Sequence, residues 1–390
     1  MLRVLFDIRY LPDMLSLGIV VAIQCIGAVL LLWGPAAVKS RLAQAAVVGG
    51  ALVSCAFLTL GALLRFARVS SRFPPWWTGW GRGLILTWAF LSVFLIAGTI
   101  VSRWWLRAQA GHSPKRRAFL RTLQVALLAA PPLVTGYGVF IQRLNLSLRE
   151  QDLSFPGLPQ ELHGLRMVQL TDIHLSPFLS ERELARAVDM ANETRAHVAL
   201  VTGDLITTAL DPLDACLHQL ARLRADVGIF GCLGNHEIYA NAEDYVEEQG
   251  ARLGLRFLRS RAHQLRFGGA TLNLAGVDYQ STRKPYLPGA GKMVAPGAFN
   301  IMLSHNPDVF PVAARQGYNL TIAGHTHGGQ VRVEILRQDL NIARFFTPYV
   351  DGLYRRGDAA AFVSRGIGTI ALPVRLGAPP EVNLLRLCRI

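Results

Sequence analysis

The sequence predicts an α/β domain that is preceded by a region of four membrane-spanning helices. Three observations predict this arrangement: long uncharged apolar stretches early in the chain, a basic excess confined to that part, and short apolar runs that alternate with polar helical stretches from residue 145 onward. We therefore expect a transmembrane region over residues 1–144 and a second domain over residues 145–390.

Composition supports the membrane region. The 390 residues are 51% hydrophobic and 17% charged, which is apolar for a soluble protein. Residues 1–150 hold 16 Lys and Arg against 3 Asp and Glu, whereas residues 151–390 hold 24 against 23. The net charge of +14 thus lies where basic residues flank spans and meet anionic headgroups. The second half lacks the basic excess of nucleic-acid binding proteins, so we expect no nucleic-acid partner. The basic and apolar first half makes a lipid membrane the expected partner.

Four uncharged stretches are each close to the ~20 residues that cross a bilayer. They are the predicted spans, at about 15–34, 42–64, 83–102 and 123–141. The pair Pro131-Pro132 predicts a kink in the last span. Tryptophans on both sides of the third span have the interfacial pattern of membrane proteins; they are Trp76, Trp77, Trp80, Trp104 and Trp105.

The orientation of the spans is less strongly encoded. Lys and Arg are equally frequent on the two sides, so the positive-inside rule gives no orientation. The stretch Lys115-Arg116-Arg117-Ala118-Phe119-Leu120-Arg121, followed by an apolar run, resembles a twin-arginine export signal, and an ordinary basic end of a span is the alternative. We favour export, which predicts a multi-pass protein of the bacterial inner membrane with an extracytoplasmic second domain.

The second domain shows strand–loop–helix alternation. Ser180 to Glu183 form a capping box that opens a helix reaching about Thr194. Six apolar runs predict strands: Leu165–Leu170, His197–Val201, Val227–Cys232, Leu272–Val277, Asn300–Leu303 and Asn319–Ile322. Polar residues follow five of these runs, and binding sites of α/β sheets form at the carboxyl ends of strands.

The polar motifs gain meaning from their combination. They are Asp172-Ile173-His174, Gly203-Asp204, Gly234-Asn235-His236-Glu237, Ser304-His305 and Gly324-His325-Thr326-His327-Gly328-Gly329-Gln330. Five of the ten histidines fall in them, and His325 and His327, two residues apart in an extended segment, point the same way. We therefore predict a metal site. Oxygen and nitrogen ligands without thiolate suit Mn, Fe, Zn or Co.

Cysteines do not contribute to this prediction. Cys216, Cys232 and Cys388 are scattered and no Cys-x-x-Cys is present, which argues against a thiolate metal site. A disulfide between Cys216 and Cys232 would suit an exported domain, and buried free thiols are the alternative that we favour.

The order of these motifs resembles the calcineurin-like metallophosphoesterase superfamily over about residues 165–330. The Gly-His-Thr-His-Gly-Gly-Gln segment is similar to a bacterial membrane-anchored branch, as are Ser364-Arg365-Gly366-Ile367-Gly368 and the stretch from Arg375 to Glu381. This branch resembles transmembrane proteins with a metallophosphoesterase domain. Some of its relatives hydrolyse UDP-2,3-diacylglucosamine in lipid A synthesis.

The resemblance implies a four-layer α/β/β/α sandwich with a binuclear metal centre between two sheets. It implies a first ion held by Asp172, His174 and His327, a second held by Asn235, His305 and His325, and Asp204 as the bridge between them. Two such ions can activate a water and clamp phosphoryl oxygens. His236 is then the candidate to protonate the leaving oxygen, with a structural histidine as the alternative. Glu237 stands where many relatives have Asp.

These expectations define a metal-dependent phosphoric ester hydrolase of a phosphodiester or pyrophosphate bond, with a lipid-linked substrate such as UDP-2,3-diacylglucosamine. One alternative is a general extracytoplasmic phosphodiesterase. Another is a membrane sensor or transporter that uses the phosphoesterase fold as a binding module. Arg365 and Arg375 either contact a phosphate or support the fold.

Overall fold

The computed structural model describes residues 11–34, 37–66, 74–108, 113–281, 285–335 and 338–390. The chain divides into two compact units. The first contains the helices up to Phe140 together with Ala371–Pro373, and the second contains Ile141–Ile370 and Val374–Ile390.

Four helices make up the first unit. They are α1 (Leu11–Trp33), α2 (Arg41–Phe66), α3 (Pro75–Ala108) and α4 (Pro114–Phe140). Three stretches are long and apolar enough to cross a membrane, namely Arg41–Leu60, Trp76–Trp105 and Pro114–Leu144. Within the described residues, Gly18–Trp33 is a shorter apolar helix. Helices at the N-terminus can therefore span a membrane, and the number four stays a prediction.

Helix α4 runs from Pro114 to Phe140 and contains Pro131 and Pro132, so the kink at this pair stays a prediction. The helix begins nine residues before the predicted span, and the twin-arginine-like stretch therefore lies in its first turns. Polar groups join the first three helices: the Trp88 indole of α3 donates to the Ser54 hydroxyl of α2 over 2.8 Å, and the Gln24 amide of α1 donates to the Ser92 hydroxyl of α3.

The second unit contains two six-stranded sheets. In the first sheet the strand order is β1-β14-β2-β3-β4-β5, parallel except between β14 and β2. Its strands are β1 (Ser147–Phe155), β2 (Arg166–Leu170), β3 (Val198–Thr202), β4 (Ile229–Cys232), β5 (Leu255–Phe257) and β14 (Glu381–Arg389). Three of the five predicted polar motifs follow strands of this first sheet, namely β2, β3 and β4.

The second sheet has the order β12-β13-β9-β8-β7-β6, with antiparallel pairs at both edges and parallel pairs between β13, β9, β8 and β7. Its strands are β6 (Arg261–Phe267), β7 (Ala270–Gly276), β8 (Phe299–Leu303), β9 (Leu320–Ala323), β12 (Gly352–Arg356) and β13 (Ala359–Val363). A separate antiparallel hairpin consists of β10 (Arg332–Ile335) and β11 (Gln338–Asn341).

Apolar cores lie between the sheets and on their outer faces. Between them, Met167 and Leu200 of the first sheet share a buried cluster with Leu274 and Phe362 of the second. Helices pack against the outer faces of the sheets, where two further clusters of buried apolar side chains form. They are α5 (Glu181–Glu193), α6 (Leu213–Leu220) and α7 (Glu243–Arg252) on the first sheet and α8 (Phe310–Gln316) on the second. This is a mixed α/β fold with two sheets.

Several local predictions are confirmed. All six predicted strands form, and the Ser180 capping box is present, with reciprocal bonds between Ser180 and Glu183. All five cysteines are free thiols, with Cys216 and Cys232 buried, so the disulfide alternative is wrong for this structure.

Candidate metal centre

The five polar motifs meet at one place because the strands that precede them are neighbours. Strands β2, β3 and β4 are adjacent and parallel in the first sheet, and β8 and β9 are adjacent and parallel in the second. Their carboxyl ends open at the same edge, where the Asp172 carboxylate of one sheet accepts hydrogen bonds from the backbone amide of His325 in the other, at 2.9 and 3.1 Å. Each predicted ligand lies in this cleft.

One group of side chains consists of Asp172, His174 and His327. The Nε2 atoms of His174 and His327 are 3.1 Å apart, and Nε2 of His327 lies 3.4 Å from Oδ1 of Asp172. All three residues are buried. Their ligand atoms lie within 4.8 Å of one another, so they could hold a metal ion.

A second group consists of Asp204, His305 and His325, whose ligand atoms also lie within 4.8 Å of one another. Oδ2 of Asp204 is 3.0 Å from Nε2 of His305 and 3.4 Å from Nε2 of His174. Asp204 therefore contacts a histidine of each group, which is the position that a bridging ligand requires.

Two buried atoms in this cleft have no hydrogen-bond partner, Oδ1 of Asn235 and Nε2 of His305. Nε2 of His305 is close to Asp204 but outside hydrogen-bond geometry. Because burying a polar atom without a partner is unfavourable, both atoms call for a further binding partner. Both belong to predicted ligands of the second ion, so the residues present fit a divalent cation.

Backbone carbonyls fix the orientation of the His305 and His174 rings. Nδ1 of His305 lies 2.7 Å from the Thr202 carbonyl oxygen, and Nδ1 of His174 lies 3.2 Å from that of Ile206. An Nδ1–H group that donates to a carbonyl leaves the Nε2 lone pair available as a ligand. The histidine tautomers of the cleft are thus set by the strands and loops beneath them.

The pKa values of the ionisable groups in the cleft are shifted in different directions. Burial lowers the pKa of His174 to about 3 and that of His325 to about 4, which keeps both rings neutral. Burial raises the pKa of Asp172 to about 6. Burial alone would also raise the pKa of Asp204, but His305 holds it well below its usual range. His174 and His325 thus stay neutral beside carboxylates, which suits the binding of a divalent cation. The pKa of His305 is instead raised to about 10, because the Asp204 carboxylate outweighs the effect of burial.

Glu237 holds two of the motif loops together. Its fully buried carboxylate accepts hydrogen bonds from the backbone amides of Asp204 (2.9 Å), Leu205 (2.7 Å) and Gly234 (2.8 Å). Glu237 thereby connects the loop of Asp204 with the loop of Gly234.

The same two loops need glycine because they touch. A Cβ atom on Gly234 would lie 2.1 Å from Oδ1 of Asp204, and one on Gly203 would lie 2.5 Å from the amide nitrogen of Gly234. Gly203 also has a φ of +89°, a conformation that L side chains rarely adopt. The glycines of the motifs therefore allow the approach that brings Asp204 into the cleft.

His236 lies at the edge of the cleft and is nearly buried. Its Nδ1 is 2.7 Å from the Thr207 carbonyl oxygen, and its backbone amide donates to Oδ1 of Asp204 over 3.0 Å. A ring nitrogen lies within 4.8 Å of ligand atoms of His174 and Asp204. His236 therefore places an imidazole ring next to the two groups of candidate ligands and near the protein surface.

Other residues around the cleft were not predicted from the sequence. The Tyr279 ring contacts the rings of His305 and His325, at centroid distances of 6.2 and 5.3 Å. Tyr279 lies two residues after the predicted strand Leu272–Val277, so its position after a strand end was an available signal. The loop of Ile206 and Thr207, which orients two histidines, carried no such signal because its contacts are made by backbone atoms.

The two arginines singled out from the sequence have structural partners. Arg375 is fully buried and donates to the carbonyl oxygens of Gly368, Ala378 and Arg365, and its Nη2 lies 3.4 Å from Nδ1 of His327. Arg365 pairs with Asp351 over 2.9 Å. The supporting alternative therefore describes Arg375.

Comparisons with known proteins agree with this site. Residues 165–329 match the family model described as calcineurin-like phosphoesterase. The chain is 26% identical over 278 residues to an uncharacterized metallophosphoesterase, YkuE, of Bacillus subtilis, a match that covers 70% of this chain and 97% of the relative. It is 28% identical over 281 residues to the transmembrane protein with metallophosphoesterase domain of Danio rerio, with 68% of this chain and 62% of that relative covered. An uncharacterized metallophosphoesterase of Helicobacter pylori is 29% identical over 285 residues, covering 70% and 73%.

Proposed function

We propose that this protein is a membrane-anchored enzyme with a binuclear metal centre that hydrolyses a phosphodiester or pyrophosphate bond. Its calcineurin-like metallophosphoesterase domain, which is typical of metal-dependent phosphoester hydrolases, supports this proposal. The observation that carries this proposal is the convergence of Asp172, His174 and His327 with Asp204, His305 and His325 in one buried cleft. Asn235 joins them, since its Oδ1 is buried without a partner.

In this proposal the ligands divide as the family resemblance implies, with Asp204 shared between two divalent ions of Mn, Fe, Zn or Co. Such ions, when bound, supply an activated water and neutralise phosphoryl oxygens. The chain's own residues position them: Glu237 fixes the loop of Asp204, and carbonyl groups fix the rings of His174 and His305.

His236 is the proposed proton donor to the leaving oxygen. The Thr207 carbonyl accepts from Nδ1, so the other ring nitrogen is free to face a substrate at the edge of the cleft. Imidazole is the side chain that most often transfers protons to or from a reacting group. Asp204 contributes by holding the His236 amide at 3.0 Å as well as by binding metal.

A lipid-linked substrate is supported by the apolar helices of the first unit and by the names of the transmembrane relatives. We place the boundary of the two domains near residue 144. UDP-2,3-diacylglucosamine is the specific candidate, since it combines a pyrophosphate bond with acyl chains. The proposed location is the bacterial inner membrane, with several spans.

The test is release of UMP from UDP-2,3-diacylglucosamine by the full-length protein in detergent with Mn²⁺. Bis-p-nitrophenyl phosphate serves as a general diester, and Asp204→Asn as the blank. Asp189→Asn is the matched control, because Asp189 is an exposed carboxylate that pairs only with Arg222 in the described ion pairs. UMP release that disappears in Asp204→Asn supports the specific substrate. Hydrolysis of the general diester alone would rule that substrate out and retain the metal chemistry.

The alternative of a general extracytoplasmic phosphodiesterase is favoured by the twin-arginine-like stretch. An alkaline phosphatase or green fluorescent protein fusion after Gln151 distinguishes the two. Activity of the fused alkaline phosphatase would show that the second domain is exported, and would contradict hydrolysis of a substrate that is made in the cytoplasm. Fluorescence of the fused green fluorescent protein without phosphatase activity would contradict export. The sensor or transporter alternative gains only if Asp204→Asn leaves the cellular phenotype unchanged.

A further inference from the structure

A short segment beside the metal centre exposes large apolar side chains. We call Ile342–Phe346 the aromatic tip. Ile342 is 62% exposed, Phe345 87% and Phe346 81%. Among the residues of the second unit that the structure describes, every other phenylalanine is buried or half-buried. An adjacent pair of exposed phenylalanines next to an exposed isoleucine is a patch and not a scattered surface residue.

Buried polar residues hold the aromatic tip at both ends. Before it, the Asn341 side chain accepts from the backbone amide of Ala343 over 3.0 Å and donates to the Gly328 carbonyl over 3.0 Å. After it, the Thr347 hydroxyl donates to the Asp308 carboxylate over 2.5 Å. Because Asn341 and Thr347 are themselves buried, the apolar side chains between them are presented outward from a fixed base.

The base of the aromatic tip is attached to the loop that carries two proposed ligands. Gly328, which receives the Asn341 bond, directly follows His327. The Thr326 hydroxyl, between His325 and His327, donates to the Val350 carbonyl oxygen. The tip is therefore fixed relative to the metal centre, and any surface that it contacts lies next to the cleft.

The charge of this segment suits one kind of surface. Between Asn341 and Val350 the sequence has no acidic residue, and Arg344 is basic. Exposed aromatic and aliphatic side chains with a neighbouring cation have the composition of segments that enter the headgroup region of a membrane. A bilayer is also the partner that the chain itself provides, because apolar helices long enough to span one precede this domain in the same polypeptide.

We propose that the aromatic tip inserts its apolar side chains into the headgroup and acyl boundary of a bilayer, which places the mouth of the metal centre at the membrane surface. This inference concerns a surface and not the reaction, so it does not depend on the substrate proposed above. It also differs from anchoring by spans, since it assigns membrane contact to residues of the phosphoesterase domain.

The experiment uses the full-length protein in nanodiscs that contain anionic lipid. Cys25, Cys55 and Cys388 are replaced by alanine, since the other two cysteines are buried and inaccessible to label. Ile342→Cys is then labelled with the environment-sensitive dye NBD, and quenching by lipids that carry a doxyl group on the acyl chain is measured. The control position is Asp358→Cys, an exposed residue in the turn between β12 and β13.

We expect a blue-shifted and doxyl-quenched signal at position 342 and an unquenched signal at position 358. Replacing both phenylalanines, Phe345→Ser with Phe346→Ser, should lower the bilayer-inserted fraction at position 342 by about tenfold, because burial of one such side chain alone contributes a factor of this order. Equal quenching at positions 342 and 358 would overturn the proposal. So would quenching that occurs only after a lipid-linked substrate is added, or a blue shift without quenching that grows with protein concentration.

Discussion

Glu237 accepts a hydrogen bond from the backbone amide of Asp204 across 2.9 Å, although the two residues are 33 positions apart. The same carboxylate also accepts from Leu205 and Gly234 and is fully buried. Glu237 thus positions the proposed bridging ligand from behind.

Glu237→Gln tests this positioning. The amide has one acceptor oxygen where the carboxylate has two, so at least one buried N–H loses its partner, at a cost of about 1–3 kcal/mol. We expect a lower melting temperature and weaker metal retention, measured by thermal unfolding and by elemental analysis after gel filtration. Glu237→Asp keeps both acceptors and should retain more metal than Glu237→Gln. The opposite order would show that reach matters more than acceptor number.

His236→Ala tests the proton donor. For a substrate with a poor leaving group, we expect kcat to fall by about 10²–10⁴-fold. The loss should be much smaller for bis-p-nitrophenyl phosphate, because p-nitrophenolate leaves without protonation. The measurement is the kcat ratio of the two substrates, with metal content checked in parallel. An equal loss on both substrates at unchanged metal content would assign His236 to charge stabilisation instead.

Metal stoichiometry tests the division of ligands. The wild-type protein should bind two ions per chain, and Asn235→Ala and His174→Ala should each retain about one, because each removes a ligand of only one proposed ion. Elemental analysis of the purified variants provides the count. The matched control is Asn192→Ala, an amide on the surface that bonds the backbone at Arg222 and Arg224 and is remote from the cleft in sequence and contacts. One ion in the wild type would contradict the binuclear centre.

The metal-free protein should be sensitive to acid. Burial lowers the pKa of His174 from 6.5 to about 3 in the folded state, so its contribution to stability is present above pH 6.5 and is lost as the pH falls towards 3. Asp172 opposes this, because its pKa is raised to about 6 and protonation favours the folded state. We therefore compare the wild type with His174→Asn. After metal is removed by chelation, the melting temperature of His174→Asn should fall less between pH 6.5 and pH 5 than that of the wild type. An equal or larger fall in the variant would contradict a neutral buried His174.

The sequence predicts the parts of the fold that have local signals. The run from Leu165 to Leu170 is mainly apolar, interrupted only by Arg166 and Gln169, and becomes β2. Strand β1, Ser147–Phe155, is mostly polar and has no such pattern. Its pairing with β14 depends on contacts between distant parts of the chain. The hairpin of β10 and β11 was not predicted either, although Arg332–Ile335 alternates between polar and apolar residues.

The candidate site shows the same division. His325 and His327 are recognisable because two histidines at this spacing follow a strand, and the order of strands then brings them to Asp172. The supporting contacts of Arg375 with carbonyl oxygens leave no trace in the sequence, since any residue supplies a carbonyl. The aromatic tip was missed because a pair of phenylalanines reads equally well as core, and only the folded chain shows it to be exposed.

The place of β14 has a consequence for biosynthesis. Ser147 pairs with Glu381, and β14 separates β1 from β2, so the strand that begins the domain has no neighbour until the strand near residue 390 has been translated. Until β14 has been made, β1 lacks its partner and β2 has an open edge. An incomplete chain therefore exposes unpaired strand edges, which make partly folded proteins prone to aggregation.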